Sequence, residues 1–169
     1  MKKLVRSRRL RALGRWALLI LLLGGVYQWQ TRHMLVSGSQ VEEISLLSLQ
    51  RESILLAADE RPVLLYFFAP WCGICAASIG NLNSLDSKAV RVITIAMDYG
   101  SVEEVWEFVR RHEVSGPVLL GHQELKMTFN LRGYPTYYLL DRDNRVLASD
   151  MGYSSGLGLK VRQWLASGL

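Results

Sequence analysis

The sequence predicts an α/β domain, with a central mixed sheet and helices on both faces, that follows a single N-terminal transmembrane helix. Three observations support this prediction. A strongly basic start leads into an apolar run over residues 16–27. From residue 41 onward, short apolar runs alternate with stretches of helical periodicity, as in α/β sheets. Cys72 and Cys75, the two cysteines of the chain, stand shortly after the continuous apolar run Pro62–Phe68.

Positive charge is concentrated in the first residues of the chain. The whole chain has 20 Lys and Arg against 15 Asp and Glu, a net charge of +5. Because seven of the basic residues precede residue 16, the remainder carries 13 basic and 15 acidic residues, a balance of −2. A nucleic-acid-binding function is disfavoured, since it requires basic residues on the folded domain. The seven basic residues are Lys2, Lys3, Arg6, Arg8, Arg9, Arg11 and Arg15.

This charge pattern divides the chain into four predicted segments. Residues 1–12 form a basic cytoplasmic head, 13–30 a signal-anchor transmembrane helix, 31–40 a tether, and 41–169 the folded domain. Basic residues on one flank of a membrane helix favour the cytoplasmic side for that flank. We therefore expect a single-pass protein of the bacterial inner membrane with its C-terminal domain in the periplasm.

The apolar run is short for a membrane anchor. Residues 16–27 would extend about 18 Å as a helix, and residues 13–29 about 25 Å, against a hydrocarbon core of about 30 Å. Interfacial aromatic residues such as Trp16 and Trp29 can make up the difference. A cleaved signal peptide is the alternative, but only Gly24 and Gly25 offer a weak cleavage site.

The domain alternates strand-like and helix-like segments. Ser101 with Glu104 three residues later is typical of a helix N-terminus, and the DRDN sequence after residue 140 is typical of a hairpin turn. Predicted strands lie in Val41–Leu49, Pro62–Phe68, Val90–Met97, Pro117–Leu120, Thr136–Leu140 and Arg145–Ala148. Predicted helices are Glu52–Asp59, Cys72–Leu85, a helix opened by Ser101, His122–Phe129 and Ser155–Ser167. Inward-facing side chains expected on the last helix are Leu157, Val161, Trp164 and Leu165.

The C-x-x-C pair at Cys72 and Cys75 has four possible uses. A structural zinc site needs four ligands, and neither a second C-x-x-C nor an H-x-x-x-H accompanies this one. Two thiolates can hold Cu(I). A purely structural disulfide would close too small a loop to restrict the unfolded chain much. The remaining use is a redox-active pair.

The redox interpretation has a mechanism in the surrounding residues. A buried strand over Pro62–Phe68 ends next to the cysteines, at the edge where α/β sheets place their sites. A helix that begins at Cys72 directs unpaired N–H groups at its sulfur, which favours the thiolate. Cys75, one turn later and more enclosed, can resolve a mixed disulfide. Gly73 allows a partner backbone to approach.

The sequence R-G-Y-P-T at residues 132–136 completes the predicted site. Pro135 directly before a strand is typical of a cis peptide bond with Tyr134, and such a bond exposes backbone groups that can pair with an extended substrate. An ordinary turn before a strand is the alternative.

The two motifs W-C-G-I-C and G-Y-P-T, about 60 residues apart, resemble the thioredoxin superfamily. The resemblance covers roughly residues 41–169 and implies a thioredoxin-like fold. The anchor and the sequence before the cysteines resemble the membrane-tethered TlpA/ResA-like redoxins of bacterial envelopes. The tail, Gly152–Leu165, resembles the suppressor-for-copper-sensitivity D proteins, which are periplasmic protein disulfide oxidoreductases.

The resemblance implies a role for each site residue. Cys72 would be the attacking cysteine and Cys75 the resolving one, and the cofactor would be their redox-active disulfide alone, without a metal. Residues of the substrate groove would be Trp71, Gly73, Ile74, Tyr134, Pro135 and Thr136, with Tyr66 and Pro70 in support.

One departure from the superfamily pattern concerns the proton of Cys75. Thioredoxin carries a buried acid six residues before its attacking cysteine, where this chain has Tyr66. A tyrosine is a poor base near neutral pH, so the acceptor stays open between Glu113, Asp98 and water.

The residues between the cysteines predict the direction of electron transfer. Gly73 and Ile74 provide no imidazole to stabilise a thiolate, so the reduced pair should be a good electron donor. We therefore expect a reductant of envelope protein disulfides that is recharged by a membrane electron-donor protein. The resemblance also implies a link to copper tolerance. A dithiol oxidase and a Cu(I)-binding chaperone using the same thiols are the alternatives.

Overall fold

A computed structural model describes residues 2–167, and the side chains of 14–29 and 31–164 within them. The chain forms two compact units that divide between His33 and Met34. The first contains helix α1, Lys2–Thr31, which is 30 residues long. The side chains of the predicted basic head, residues 1–12, lie outside the described part.

Helix α1 includes the predicted anchor at residues 13–30. Across the described residues, no helix combines the length and the apolar character that crossing a membrane requires. The transmembrane helix predicted for residues 13–30 stays a prediction.

The second unit is built on a mixed sheet of five strands in the order β5-β4-β3-β6-β7. Strand β3 lies in the middle, parallel to β4 and antiparallel to β6. Every residue of β3 is buried, as predicted for a strand covered on both faces. The five strands are β3 Val63–Phe68, β4 Arg91–Ala96, β5 Val118–Leu120, β6 Thr136–Leu140 and β7 Val146–Met151.

The alternating side chains of β3 divide the core into two layers. Tyr66 and Phe68 point into one layer, which also contains the cysteines and side chains of helices α2 (Gly73–Ser78), α3 (Val102–Arg111) and α5 (Gly156–Ser167). Leu65 and Phe67 point into the other layer, with α4 (Gln123–Thr128). Helices on both faces of a mixed sheet confirm the predicted thioredoxin-like architecture.

Within residues 52–59, where a helix was predicted, the structure contains a strand. Strand β2, Ser53–Leu56, pairs antiparallel with β1, Ile44–Leu47, in a separate two-stranded sheet. The buried hydroxyl of Ser48 accepts hydrogen bonds from the N–H groups of Gln50 (3.2 Å) and Glu52 (3.1 Å). These bonds fix the turn, and pairing with β1 overrides the local helical tendency.

Residues 34–40, predicted as part of a tether, belong to the folded unit. Met34 is buried in the core. The N–H of Gly38 donates to the carbonyl of Val146 (2.8 Å), and the N–H of Val146 donates to Ser39 (2.9 Å). The segment thus runs along the turn before β7, a pairing that only the tertiary fold creates.

The last helix turns a different face to the core than the one predicted. Leu159 is buried, whereas Leu157 is 75% exposed and Val161 is 50% exposed. Trp164 is also exposed, and the side chain of Leu165 lies outside the described part. Helical periodicity identified the helix but not the side of it that meets the sheet.

Candidate active site

The Cys72–Cys75 segment lies at the carboxyl end of the central strand. The chain leaves β3 at Phe68, and Cys72 is the N-cap residue of α2. The N–H of Cys72 donates to the carbonyl of Ala69 at 3.0 Å and closes the turn between strand and helix. This is the edge at which open α/β sheets assemble their reactive groups.

Cys72 and Cys75 are joined by a disulfide bond, but they differ in access. Cys72 is 7% exposed, and Cys75 is completely buried. The N–H of Cys75 donates to the Sγ of Cys72 at 3.1 Å. After reduction, a donor in this position favours the thiolate of Cys72 over its thiol. An incoming thiol or disulfide can therefore reach Cys72 but not Cys75.

The helix after Cys72 is shorter than the predicted Cys72–Leu85. α2 ends at Ser78, and a 3-10 helix, Ile79–Ser84, follows it. The Ser78 hydroxyl donates to the carbonyl of Ile74 at 2.8 Å, and such a bond to residue i−4 weakens and bends an α-helix. Because so short a helix has a small dipole, the polarity at Cys72 comes chiefly from the N–H of Cys75.

The segment Tyr134–Thr136 lies against the disulfide. The Tyr134–Pro135 peptide bond is cis, as predicted. The carbonyl oxygen of Tyr134 is 3.4 Å from the Sγ of Cys72. Pro135 and Thr136 are buried, and the Thr136 hydroxyl donates to the carbonyl of Gly133 at 2.8 Å. Of the predicted groove residues in this segment, Tyr134 alone has a partly exposed side chain.

Apolar surface surrounds the sulfur of Cys72. Trp71 is 63% exposed and Ile74 is 52% exposed, and Gly73 between the cysteines is also exposed. The Trp71 ring meets the Tyr134 ring edge to face, with centroids 6.0 Å apart. Half-buried Pro70 precedes Trp71. Because proline has no backbone N–H group, the strand cannot continue through it. This arrangement suits contact with another polypeptide rather than with a small polar molecule.

Tyr66 lies beneath the cysteines in the same apolar layer. Its hydroxyl is 3.0 Å from that of Ser78, which itself donates to a backbone carbonyl. Burial raises the pKa of Tyr66 to about 12, and the hydrogen bond with Ser78 opposes this only in part. Tyr66 is therefore neutral at physiological pH and can donate a hydrogen bond but cannot accept the proton of Cys75.

Asp98 lies at the carboxyl end of β4, next to the site. Its carboxylate accepts hydrogen bonds from Lys126 Nζ (2.6 Å) and from the Tyr134 hydroxyl (3.0 Å). Burial acts to raise the pKa of Asp98, but these hydrogen bonds lower it below its ordinary value. The sequence predicted Asp98 only as one candidate proton acceptor, with Glu113 as another. Glu113 is exposed just after the end of α3.

The participation of Lys126 was missed. It lies on α4, a helix that carries no motif, and only the folding of α4 beside β4 brings it to Asp98. For Asp98 a usable signal existed, because an acid directly after a strand parallel to β3 falls at the same edge of the sheet.

No cluster of three or more His, Cys, Asp or Glu side chains suited to a metal ion occurs within the described part of the chain. Two thiolates are enough for Cu(I), so the copper-binding alternative needs its own measurement.

The sequence matches the redoxin family over residues 37–161, which is most of the chain and includes both motifs of the site. The chain belongs to the redoxin family. This redoxin is similar to the thioredoxin-like protein YneN of Bacillus subtilis, with 29% identity over 136 residues, 73% of this chain and 80% of that protein. It is also similar to the thiol-disulfide oxidoreductase ResA of Bacillus cereus, with 25% identity over 154 residues, 84% of this chain and 88% of that protein.

Among solved structures, this redoxin resembles a thiol:disulfide interchange protein of the thioredoxin family from Chlorobium tepidum. The TM-score is 0.69 at 19% identity, over 79% of this chain and 99% of that one. This likeness shows the shared fold.

Family, fold and cysteine pair agree on one chemistry. The protein is a thiol-disulfide oxidoreductase of the thioredoxin superfamily, and the predicted resemblance to TlpA/ResA-like redoxins is confirmed. A buried cysteine behind an accessible one is the arrangement that thiol-disulfide interchange requires.

We expect the free energy of unfolding to fall as the pH rises above about 10. Burial raises the pKa of Tyr66 and of Tyr138 to about 12. Below the ordinary tyrosine pKa, these tyrosines are protonated in both the folded and the unfolded chain, so their contribution to stability is fully present. Above it, the unfolded chain releases protons that the folded chain retains, which favours unfolding. Urea unfolding between about pH 8 and about pH 11 measures this slope.

Tyr66→Phe should make the slope shallower, and exposed Tyr153→Phe serves as the control for loss of a phenol. A free energy of unfolding that stays constant across this range would contradict the expectation.

Proposed function

We propose that the protein is a membrane-anchored periplasmic reductant that donates electrons to disulfides of envelope proteins. The unequal access of the two sulfurs carries this proposal. Cys72 reaches the surface beside Trp71 and the Tyr134 carbonyl, whereas Cys75 is fully enclosed behind it. Cys72 is therefore assigned as the attacking cysteine and Cys75 as the resolving one.

The reaction starts from the reduced pair and proceeds in two exchanges. The Cys72 thiolate attacks one sulfur of the substrate disulfide, which breaks and releases one substrate thiolate. Cys75 then loses its proton and attacks the Cys72 sulfur, which breaks the mixed disulfide and releases the second thiolate. Two electrons have passed to the substrate, and the Cys72–Cys75 disulfide remains. A membrane electron-donor protein returns the pair to the dithiol.

The direction of transfer follows from how little stabilises the Cys72 thiolate. One backbone donor, the N–H of Cys75, contacts its sulfur. Gly73 and Ile74 contribute no charge, and the nearby Tyr134 carbonyl favours a thiol over a thiolate. A less stabilised dithiol gives up its electrons more readily.

The cysteine roles predict two different outcomes of substitution. Cys72→Ser should reduce insulin disulfide reduction by the full-length protein to background, because the nucleophile is lost. Cys75→Ser should instead accumulate a mixed disulfide on Cys72, because the resolving thiol is lost. Mass spectrometry of trapped species identifies the attached protein. A mixed disulfide on Cys75 in the Cys72→Ser variant would reverse the assignment.

The reduction potential tests the direction. We expect the Cys72–Cys75 couple to be well below about −120 mV, a value typical of strongly oxidising members of the superfamily. Equilibration with glutathione buffers, read by gel shift after thiol alkylation, gives the value. A potential near that of the oxidants would favour the dithiol oxidase instead.

Attachment to the inner membrane and exposure to the periplasm are supported by the sequence pattern alone. Seven basic residues precede the apolar run of residues 16–27, an order that favours a cytoplasmic N-terminus. We expect the full-length protein to sediment with the inner membrane and to resist carbonate extraction. We also expect an added protease to cleave it only after the outer membrane has been made permeable. Recovery in the soluble periplasmic fraction would indicate a cleaved leader, and protection from protease would indicate a cytoplasmic domain.

A link to copper tolerance is supported by the resemblance of Gly152–Leu165 to the suppressor-for-copper-sensitivity D proteins. Under this proposal, the substrate is an envelope protein whose thiols copper oxidises. Titration with Cu(I), beside the insulin assay, separates this role from that of a chaperone. Tight copper binding without turnover would favour the chaperone.

A further inference from the structure

Two aromatic side chains flank Cys72, and a single residue contacts both of them. The main-chain carbonyl of Asp98 accepts a hydrogen bond from Trp71 Nε1 at 2.9 Å. Its carboxylate accepts one from the Tyr134 hydroxyl at 3.0 Å. Trp71 precedes Cys72, and Cys72 and Tyr134 are 62 residues apart in the sequence. Asp98 therefore joins two distant segments of the site.

Lys126 holds the Asp98 carboxylate in place. Its Nζ lies 2.6 Å from Asp98 Oδ2 and 6.0 Å from the centre of the Tyr134 ring. The side chains of Lys126 and Asp98 are 34% and 22% exposed, so the ion pair is less screened than one on an open surface. The side-chain Nε2 of Gln123, which is also on α4, donates to Asp98 Oδ1 at 3.4 Å.

We propose that Asp98, held by Lys126, positions Trp71 and Tyr134 and thereby determines how well a protein substrate docks at Cys72. The inference rests on the proposed function, because it concerns the same reaction. Asp98 and Lys126 act as positioning residues and touch neither the substrate disulfide nor the sulfur atoms.

The position of the Tyr134 carbonyl explains why docking should respond. This carbonyl is 3.4 Å from Cys72 Sγ, so a displaced Tyr134 changes the surface next to the reacting sulfur. An extended polypeptide contacts the site over several residues, so it needs the Trp71 and Tyr134 side chains in place at the same time. A small disulfide reaches Cys72 without contacting both aromatic side chains, so its rate of reduction should depend on their positions far less.

The test compares two substrates with the full-length protein. In Asp98→Asn and Lys126→Met, we expect the KM for insulin to rise about three- to tenfold, because a charge-assisted contact is lost. For hydroxyethyl disulfide, kcat/KM should change by less than about twofold. Asparagine tolerates the left-handed backbone of Asp98 (φ 47°), so this variant removes the charge without backbone strain. Exposed Lys88→Met is the matched control and should behave as wild type with both substrates.

Tyr134→Phe provides a second route should either variant fold poorly, as judged by its thermal midpoint. It removes only the hydroxyl that Asp98 holds, and it should also raise the KM for insulin. Combining it with Asp98→Asn should add little, because Asp98→Asn weakens and Tyr134→Phe removes the same hydrogen bond.

An insulin KM equal to wild type in Asp98→Asn and Tyr134→Phe would overturn the inference, as would an equal loss with both substrates. A wild-type protein that reduces neither disulfide would overturn the proposed function and this inference with it. Wild-type activity together with unaffected variants would overturn this inference alone.

Discussion

The burial of β3 on both faces is the constraint on which the active site depends. All six of its residues are buried, and β4 and β6 pair with it on either side. A strand held in this way cannot slip in register, because a shift of one residue would exchange the two core layers. Cys72 follows its carboxyl end by a tight turn, so the position of the reactive sulfur is fixed by the core.

The chemistry of the site comes from unequal surroundings for two identical side chains. Cys75 lies in an apolar layer with Tyr66, whose raised pKa keeps it neutral. Cys72 lies at the rim, where it meets the N–H of Cys75 and the carbonyl of Tyr134. Thiol-disulfide exchange needs one accessible sulfur and one protected sulfur, and a helix start at a sheet edge supplies both within four residues.

The charged pair beside the site, Asp98 with Lys126, forms an ion pair and is not directed at the sulfurs. The Asp98 carboxylate is engaged by Lys126 and Tyr134, and no buried side-chain nitrogen or oxygen in the described part of the chain lacks a hydrogen-bond partner. This leaves a largely apolar, aromatic surface around Cys72. Such a surface stabilises a thiolate little and offers another protein a place to bind, and both properties are needed for the proposed transfer of electrons to protein disulfides.

Local sequence patterns were enough to determine the central strands, the helix start at Cys72, the cis peptide bond at Pro135 and the class of chemistry. The strands and the helix start follow from short apolar runs and helix-start signals, whereas the cis bond and the chemistry follow from two short motifs and their resemblance to a known superfamily. Only the tertiary structure decided that residues 53–56 pair as a strand, that residues 34–40 join the fold, and that α5 buries Leu159. It alone brought Lys126 to Asp98. These features depend on contacts between distant segments, and their energy exceeds the small local preferences that a sequence displays.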